Sequence, residues 1–246
     1  MHKLKLASVV VGLSVAGSAL AATEVEWWHA MGGANGEKVN EIAKNFNDSQ
    51  DAYEVKPVYK GNYTETMTSA IAAFRAKQQP AIVQVFEVGT ASMMAAKGAI
   101  YPVHQLMRES GQPFDESTYL SAVTGYYTSS EGKMLSMPFN SSTPVLYYNK
   151  DLFKKAGISQ APKTWQDVES ASKKLQASGV TCGFTTAWQS WVQLENFSSR
   201  HNVPFATLDN GFGGLKTELA FNGPLQVAHV KKMGEWQKSG VFSYSG

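Results

Sequence analysis

Cysteine and arginine are scarce in this chain of 246 residues. Its one cysteine, Cys182, has no internal partner for a disulfide bond, and it rules out a zinc site built from several cysteines. Arginine occurs only at Arg75, Arg108 and Arg200. A site for a negatively charged small molecule within this chain must therefore depend on neutral donors, or on cations supplied from elsewhere.

The chain also lacks a basic surplus once its first segment is set aside. Its formal charge is +2 at pH 7, and the first 21 residues contain Lys3, Lys5 and no acidic residue. The remaining residues therefore have a formal charge of zero. Nucleic acids and anionic membrane surfaces select proteins with a positive surplus. The composition thus argues against a nucleic-acid partner.

Long apolar runs are missing after residue 21. Residues 1–21 have the organisation of a secretory signal, with two lysines, an apolar run at residues 6–16, and a small-x-small cleavage pattern at Ala19 and Ala21. The apolar run is shorter than the roughly 20 residues of a membrane-spanning helix. We therefore predict cleavage after Ala21, export to the periplasm, and no transmembrane segment in the mature chain.

Chemical motifs are equally few. The sequence has no phosphate-binding P-loop, no dinucleotide-binding glycine motif and no serine nucleophile elbow. Its histidines after the signal, His29, His104, His201 and His229, are too scattered to suggest a metal-binding set. We therefore expect no cofactor, no metal and no enzymatic activity.

What the chain does contain is a globular composition and an alternation of strands and helices. Hydrophobic residues make up 43% and charged residues 17%, which is too apolar for a disordered chain. Strand-like segments at residues 23–29, 53–59 and 81–86 alternate with helical patterns, the third of which lies at residues 90–97. This order predicts a parallel, doubly wound α/β sheet. The first two helices are predicted from Val39, Ile42, Ala43 and Phe46, and from Met67, Ala70, Ile71 and Phe74.

The second half of the chain predicts further strands and helices around a crossover at residues 128–132. Strands are predicted at residues 133–139, 143–149 and 182–186. We place a first lobe at residues 22–130 and part of a second lobe at residues 131–246.

Three helices are predicted in this second half. One begins at a capping box formed by Thr164 and Asp167, and another covers residues 188–201. The last is capped by Asn222, has Pro224 in its first turn and runs to about residue 238. Its predicted apolar face contains Val227, Val230 and Met233, and no closing element is predicted after it.

Four candidate ligand-binding residues lie at the carboxyl ends of predicted strands. Ligands of doubly wound sheets bind at these ends, where helices begin. Tyr63 follows the second strand and Glu87 ends the third. Ser142 lies between two later strands, and Trp188 follows the strand at 182–186. A carboxylate accepts hydroxyl protons, neutral hydroxyl and N–H groups near a helix start bind phosphate, and tryptophan presents an apolar face to a polyol.

Each candidate has a structural alternative that periodicity leaves open. Glu87 could serve only as a negative charge at a helix N-terminus, which stabilises a helix by about 0.3–1 kcal/mol. Tyr63 and Trp188 could be packing residues, and Ser142 could belong to a turn.

A resemblance to a known family narrows these alternatives. The sequence PVLYYNKDLFKKAG at residues 144–157, followed by PKTW at 162–165, resembles extracellular solute-binding proteins of carbohydrate ABC importers. Within that family, finer segments are similar to periplasmic binding proteins for sn-glycerol-3-phosphate. These segments are residues 59–63, 71–75, 86–90, 138–143 and 188–197.

The resemblance implies a fold, a ligand and partners. It implies two lobes of the type II periplasmic-binding-protein fold joined by a hinge, acting as a monomer that delivers its ligand to ABC permease subunits. Tyr63 and Ser142 would contact the phosphate, Glu87 the glycerol hydroxyls and Trp188 the glycerol backbone. Family members are longer, so the resemblance also implies an N-terminal fragment whose phosphate-pairing arginine lies in a later segment.

The sequence is also compatible with other functions. Glycerophosphodiesters could share the site, or the ligand could be a neutral oligosaccharide. An exported hydrolase could pair Glu87 with Glu24 or Glu26. An interaction module without a small ligand would also suit a soluble two-lobed chain.

Overall fold

A computed structural model describes residues 21–86, 89–90, 92–93, 96, 98–129, 131–187, 189–214 and 216–245. The chain divides into two compact units, Met1–Phe114 and Asp115–Gly246. This division lies earlier than the lobe boundary that we predicted at residues 130 and 131. Residues 1–20 of the predicted signal and half of the predicted helix at residues 90–97 lie outside the described ranges. Within those ranges, no helix is long and apolar enough to cross a membrane.

The first unit is built on a three-stranded parallel sheet with the first strand in the middle. β1 pairs with β2 along its whole length, and with β3 at Trp27 and Trp28. The parallel α/β arrangement predicted for this region is thereby confirmed, although the third strand is shorter than predicted. The strands are β1 (Thr23–His29), β2 (Tyr53–Tyr59) and β3 (Ile82–Val83).

The structure describes three helices of this unit over their whole length: α1 (Gly33–Asn47), α2 (Tyr63–Arg75) and α3 (Val103–Ser110). The first two confirm the helical patterns in the sequence. Val39 and Ala43 are buried as predicted, whereas Ile42 and Phe46 are almost half exposed. The reason is that α1 packs against β2, an edge strand that is too narrow to cover the whole apolar face of the helix.

The second unit contains more helices and a two-stranded parallel sheet of β4 and β5. A π-helix at Gln189–Glu195 precedes α7, and the turn at Thr207–Asn210 has left-handed backbone angles. The described elements are α4 (Ser121–Thr124), α5 (Lys150–Lys155), α6 (Trp165–Ala177), β4 (Phe184–Thr186), α7 (Asn196–Arg200), α8 (Pro224–Lys238) and β5 (Phe242–Tyr244), with 3₁₀ turns at Glu116–Thr118 and Gly125–Tyr127.

The core of the second unit lies between α6, α8 and β5. It is formed by Val168, Met233, Trp236, Val241 and Phe242. A neighbouring cluster joins α5 to α6 through Phe153, Ala171 and Leu175.

The helix that contributes to both clusters, α6, begins as predicted. The Thr164 hydroxyl accepts a hydrogen bond from the Asp167 N–H at 3.1 Å, and the Asp167 carboxylate accepts one from the Thr164 N–H at 3.0 Å. The capping box predicted at the start of α6 is therefore confirmed.

Two predicted strands in this unit are wrong. Residues 135–149 belong to no helix or strand, and the only pairing described nearby is a single bridge between Thr128 and Met134. Val145 is 66% exposed and Tyr147 is 89% exposed. An apolar segment forms a buried parallel strand only where neighbouring strands pair with it, and the described part of this unit places none beside it.

The last helix differs from the prediction in its N-cap residue and in the face that it buries. Gly223 rather than Asn222 is the N-cap residue. Val227 and Val230 are about half exposed. The buried face instead contains polar residues that form hydrogen bonds inside the unit. After the helix, where no closing element was predicted, the chain forms β5. The buried residues of α8 are Gln226, His229, Met233 and Trp236.

The predicted helix at residues 188–201 is two elements. A π-helix at Gln189–Glu195 comes first and α7 follows it. The preceding strand begins at Phe184 rather than at residue 182.

Candidate ligand-binding site

The carboxyl ends of the three strands of the first unit lie at one edge of the sheet. The Lys60 N–H, just after β2, donates a hydrogen bond to the His29 carbonyl at 3.0 Å. The Ala30 N–H, just after β1, donates to the Gln84 side-chain oxygen at 3.0 Å. These bonds tie together the three segments that follow the strands. The edge is therefore a defined surface on which ligand-binding residues can be held in place.

Tyr63 lies at this edge as the first residue of α2. Asn62 caps the helix, since its side-chain oxygen accepts from the Glu65 N–H at 3.0 Å and its own N–H donates to the Glu65 carboxylate at 2.7 Å. The Tyr63 ring stacks on the Phe86 ring, with centroids 5.4 Å apart and planes 12° from parallel. Helix cap and ring stacking together fix the position of this half-buried side chain.

The other predicted site residues are described only in part. Glu87, which follows Phe86 in the chain, and Trp188, which lies between β4 and the π-helix, fall outside the described residues. Ser142 belongs to the second unit and is exposed within the irregular segment at residues 135–149. The structure thus locates Tyr63 at a sheet edge and Ser142 on an accessible surface, and their roles stay predictions.

A series of hydrogen bonds holds the π-helix at Gln189–Glu195 in place. The Gln193 side-chain N–H donates to the Thr186 hydroxyl at 3.1 Å, and the Gln193 side-chain oxygen lies 2.9 Å from His229 Nε2. The His229 ring also stacks on Phe197, with centroids 3.8 Å apart. Gln193 therefore joins the end of β4 and the π-helix to α8. Such π-helical turns are rare and often occur at functional sites.

This arrangement changes the protonation of His229. Burial and, to a smaller extent, the charge of His201 lower the pKa of His229 to about 4. The imidazole is therefore neutral at pH 7, with its proton on Nε2, where it donates to Gln193. Sequence patterns do not indicate this contact, since His229 falls outside the apolar face predicted for its helix.

A second buried histidine, His29, ends β1. Only 3% of it is exposed, and burial lowers the pKa of His29 below its ordinary value. Its Nδ1 accepts a hydrogen bond from the Met31 N–H at 3.2 Å. The neutral ring therefore has its proton on Nε2. Its position at the carboxyl end of the central strand is the one signal in the sequence that could have singled out His29.

The carboxylates of the hydrolase alternative are arranged differently. Glu24 is exposed and forms an ion pair with Lys56 across β1 and β2. Glu26 is exposed on the same strand. Among the described residues, no group of three or more histidine, cysteine or acidic side chains could hold a metal ion. Glu87, the carboxylate that this alternative pairs with Glu24 or Glu26, lies outside the described residues.

Comparison with known families shows which family the chain belongs to. The model of the bacterial extracellular solute-binding protein family matches residues 32–241. This chain belongs to that family. The resemblance predicted from the sequence is thereby confirmed.

Two relatives in this solute-binding family illustrate how much of the chain is matched. The sn-glycerol-3-phosphate-binding periplasmic protein UgpB of Brucella abortus (strain 2308) is 50% identical over 239 residues, which are 96% of this chain and 55% of the relative. The protein of the same name in Rhizobium meliloti (strain 1021) is 49% identical over 242 residues, 97% of this chain and 56% of the relative. The chain therefore spans just over half the length of these relatives.

Solved structures of solute-binding proteins share the fold. The cyclic alpha-maltosyl-1,6-maltose binding protein of Arthrobacter globiformis aligns with a TM-score of 0.64 and 20% identity, over 92% of this chain and 57% of that protein. A periplasmic oligogalacturonide binding protein of Yersinia enterocolitica aligns with a TM-score of 0.68 and 14% identity, over 90% and 52%. The chain therefore has the type II periplasmic-binding-protein fold that we predicted.

Proposed function

We propose that this chain is the substrate-binding part of an ABC importer and that it binds sn-glycerol-3-phosphate in the periplasm. The observation that carries the proposal is the 50% identity, over 96% of the chain, to a protein named for binding this ligand. Glycerophosphodiesters carry the same glycerol phosphate group, and they are further candidate ligands of the same site.

The proposed contacts use neutral donors and one carboxylate. Tyr63 and Ser142 donate hydrogen bonds to the phosphate, Glu87 accepts hydrogen bonds from the glycerol hydroxyls, and Trp188 packs on the carbon chain. The location of Tyr63 at the carboxyl edge of a parallel sheet supports this, because ligands of such sheets bind at that edge. The exposure of Ser142 supports it as well, because an exposed hydroxyl is accessible to a ligand.

The proposed activity is binding and delivery rather than catalysis. Closure of two lobes about a hinge around the ligand creates a surface that permease subunits can recognise. The protein acts as a monomer in the periplasm, after removal of residues 1–21. The family assignment supports this reading, since family members are solute-binding proteins.

The binding test uses isothermal titration calorimetry on the chain extended to the length of its relatives. The extension is the part of the Brucella abortus protein that the match does not cover. We expect saturable binding of sn-glycerol-3-phosphate with one site. Glu87→Gln weakens it at least about tenfold, because a hydrogen bond from a hydroxyl to a charged carboxylate is worth roughly 1.5–3 kcal/mol.

Glu26→Gln is the matched control, since Glu26 is an exposed carboxylate of the same unit. It leaves the affinity unchanged. Absence of binding by the unsubstituted protein, or an unaltered affinity in Glu87→Gln, contradicts the proposal. Saturable binding of maltose without binding of glycerol phosphate supports the oligosaccharide alternative instead. Turnover of a phosphodiester or glycoside that is lost in Glu26→Gln supports the hydrolase.

A further inference from the structure

Lys60 lies at the carboxyl edge of the sheet in the first unit, in the turn between β2 and α2. Its N–H donates to the His29 carbonyl at 3.0 Å, which fixes its backbone beside the end of β1. Its side chain is on the same face of the sheet as Trp28, because Trp28 lies opposite Val58 and Lys60 follows Val58 by two residues. The Lys60 Nζ accordingly lies 3.8 Å from the centre of the Trp28 ring. The face of an indole ring attracts a cation, so the position of this positive charge at the edge is defined.

The Lys60 ammonium has no acidic partner among the described residues. The Glu65 carboxylate, the acidic group nearest to Lys60 in the sequence, accepts instead from the Asn62 N–H at 2.7 Å. The lysines of α1 and β2 differ from Lys60, because each of them forms an ion pair; they are Lys38, Lys44 and Lys56. Lys60 is half-buried, and removing a charge from water costs free energy unless the charge is paired. This unpaired cation is therefore suited to bind an anion.

A buried hydrogen-bond donor beside this ammonium also lacks a partner. Only 8% of Trp28 is exposed, and its indole Nε1 forms no hydrogen bond with the described residues. Nε1 belongs to the ring over which Lys60 lies, so the two donors are neighbours. Buried polar groups are nearly always hydrogen-bonded, and an exception calls for an explanation. An oxygen atom of an anionic ligand is a partner that both donors can share.

These two donors lie at the same edge of the sheet as Tyr63. Tyr63 follows Lys60 by three residues and begins α2, which contacts β1. Arg75, by contrast, lies in the last turn of α2, about 18 Å from Tyr63 along the helix axis. Lys60 therefore provides a positive charge at the edge where Tyr63 lies, which Arg75 does not.

We propose that the Lys60 ammonium and the Trp28 indole N–H bind the phosphate of the ligand together with Tyr63. The inference rests on the proposed function and adds two residues to its site. It also gives this chain a cation of its own for the anion, and this charge favours a phosphate-bearing ligand over a neutral sugar. The contacts predicted from the sequence do not include either residue; they are Tyr63, Glu87, Ser142 and Trp188.

The test is a calorimetric titration of the extended chain with sn-glycerol-3-phosphate. Lys60→Met removes the charge and keeps an unbranched side chain, and we expect the affinity to fall at least about tenfold, the effect of losing one hydrogen bond to a charged group. Lys60→Arg keeps a cation that can lie over the ring, and it retains most of the affinity. Lys56→Met is the matched control, since Lys56 lies four residues earlier on the same face of β2 and is paired with Glu24. It leaves the affinity unchanged.

The indole N–H is tested separately from the ring that holds Lys60. Trp28→Phe keeps an aromatic face under the ammonium and removes the N–H, and we expect the affinity to fall about tenfold. Trp27→Phe is the control, because Trp27 is an equally buried tryptophan on the opposite face of β1. It leaves the affinity unchanged. Lys60 is only half-buried, so its variants decide the inference where a substitution of the buried Trp28 unfolds the protein.

The outcomes separate this inference from the proposed function. Binding by the unsubstituted protein with equal affinity in Lys60→Met overturns the inference and leaves the proposed function intact, and it assigns Lys60 only to the contact with the Trp28 ring. A loss of affinity that Lys56→Met shares also overturns the inference, because it depends on net charge alone. Absence of binding by the unsubstituted protein overturns both. A loss of affinity in Lys60→Met that Lys60→Arg restores supports the inference.

Discussion

At the scale of single residues, the clearest prediction concerns His229. Burial holds the pKa of His229 at about 4, whereas an unfolded histidine has a pKa of about 6.5. Between these values the unfolded chain binds a proton that the folded chain does not. The free energy of unfolding is therefore highest above pH 6.5, and it falls as the pH falls toward 4. We expect His229 to contribute a loss of about 2 kcal/mol between pH 7 and pH 4.5.

Urea unfolding at these two pH values, followed by circular dichroism, measures this loss. His229→Gln keeps a donor for Gln193 and removes the titrating group, so its stability depends less on pH by the same amount. His104→Gln, at a half-buried histidine of the first unit, keeps the full pH dependence. A pH dependence that is identical in the chain and in His229→Gln would contradict the buried, neutral state of His229.

Individual residues differ in how far the sequence can predict them. The position of Tyr63 after a strand end could be predicted, and its role in binding stays a prediction. Gln193 and His229 could not, because their importance depends on a contact between residues 36 positions apart. The Val227 and Val230 side chains were assigned to the core because apolar residues are usually buried. The structure buries Gln226 and His229 instead, where hydrogen bonds from Gln226 to the Pro204 carbonyl and from His229 to Gln193 offset the cost of burial.

At the scale of elements, α6 depends on its capping box. The Thr164 hydroxyl accepts from the Asp167 N–H at the first turn of the helix. Thr164→Ala removes this acceptor, and we expect the free energy of unfolding to fall by about 1 kcal/mol. Thr143→Ala is the matched control, because Thr143 is an exposed threonine of the irregular segment at residues 135–149. Equal stability of the two variants in urea unfolding would show that the Thr164 cap does not stabilise α6.

The contact between α6 and α8 is the second element-level prediction. Hydrogen bonds from Lys173, and then from Lys232, lower the pKa of Glu169 to about 2. Lys173 lies 2.7 Å from the carboxylate within the same helix, whereas Lys232 reaches it from α8 at 3.1 Å. We expect Lys232→Met to lower the free energy of unfolding by about 1 kcal/mol and Lys173→Met by about 0.3–0.5 kcal/mol.

A double-mutant cycle with Glu169→Gln isolates the ion pair, because Lys232 also lies 5.2 Å from the centre of the Trp236 ring. The coupling between Glu169 and Lys232 decreases in 1 M salt, where charges are screened within about 3 Å. A coupling energy of zero in urea unfolding assigns the whole effect of Lys232→Met to the tryptophan and contradicts a stabilising bridge between the helices.

Helices and strands could be predicted where the signal lies in a few consecutive residues. β1, β2 and α1 follow from alternation and helical periodicity over a few consecutive residues. The strand predicted at residues 143–149 has a similarly apolar sequence, yet a strand also requires a partner, which local sequence does not report. β5 was missed for the converse reason, since its three residues form a strand only by pairing with β4.

At the scale of the whole molecule, the fold could be predicted from the sequence, whereas the proposed function rests on resemblance. Alternating strands and helices indicated a doubly wound sheet, and solute-binding proteins of 20% and 14% identity share that fold. The same fold accommodates many ligands. In our proposal, side chains at strand ends determine which ligand binds. The composition adds only that this chain has few arginines with which to bind an anion.

The central claim is that a three-carbon phosphate, rather than a neutral sugar, is the ligand. Equilibrium dialysis with radiolabelled sn-glycerol-3-phosphate tests it most directly, using the chain extended to the length of its relatives. The account predicts saturable retention of the label, displacement by unlabelled glycerol phosphate, and no displacement by an excess of maltose. Retention of labelled maltose with no retention of glycerol phosphate would contradict it.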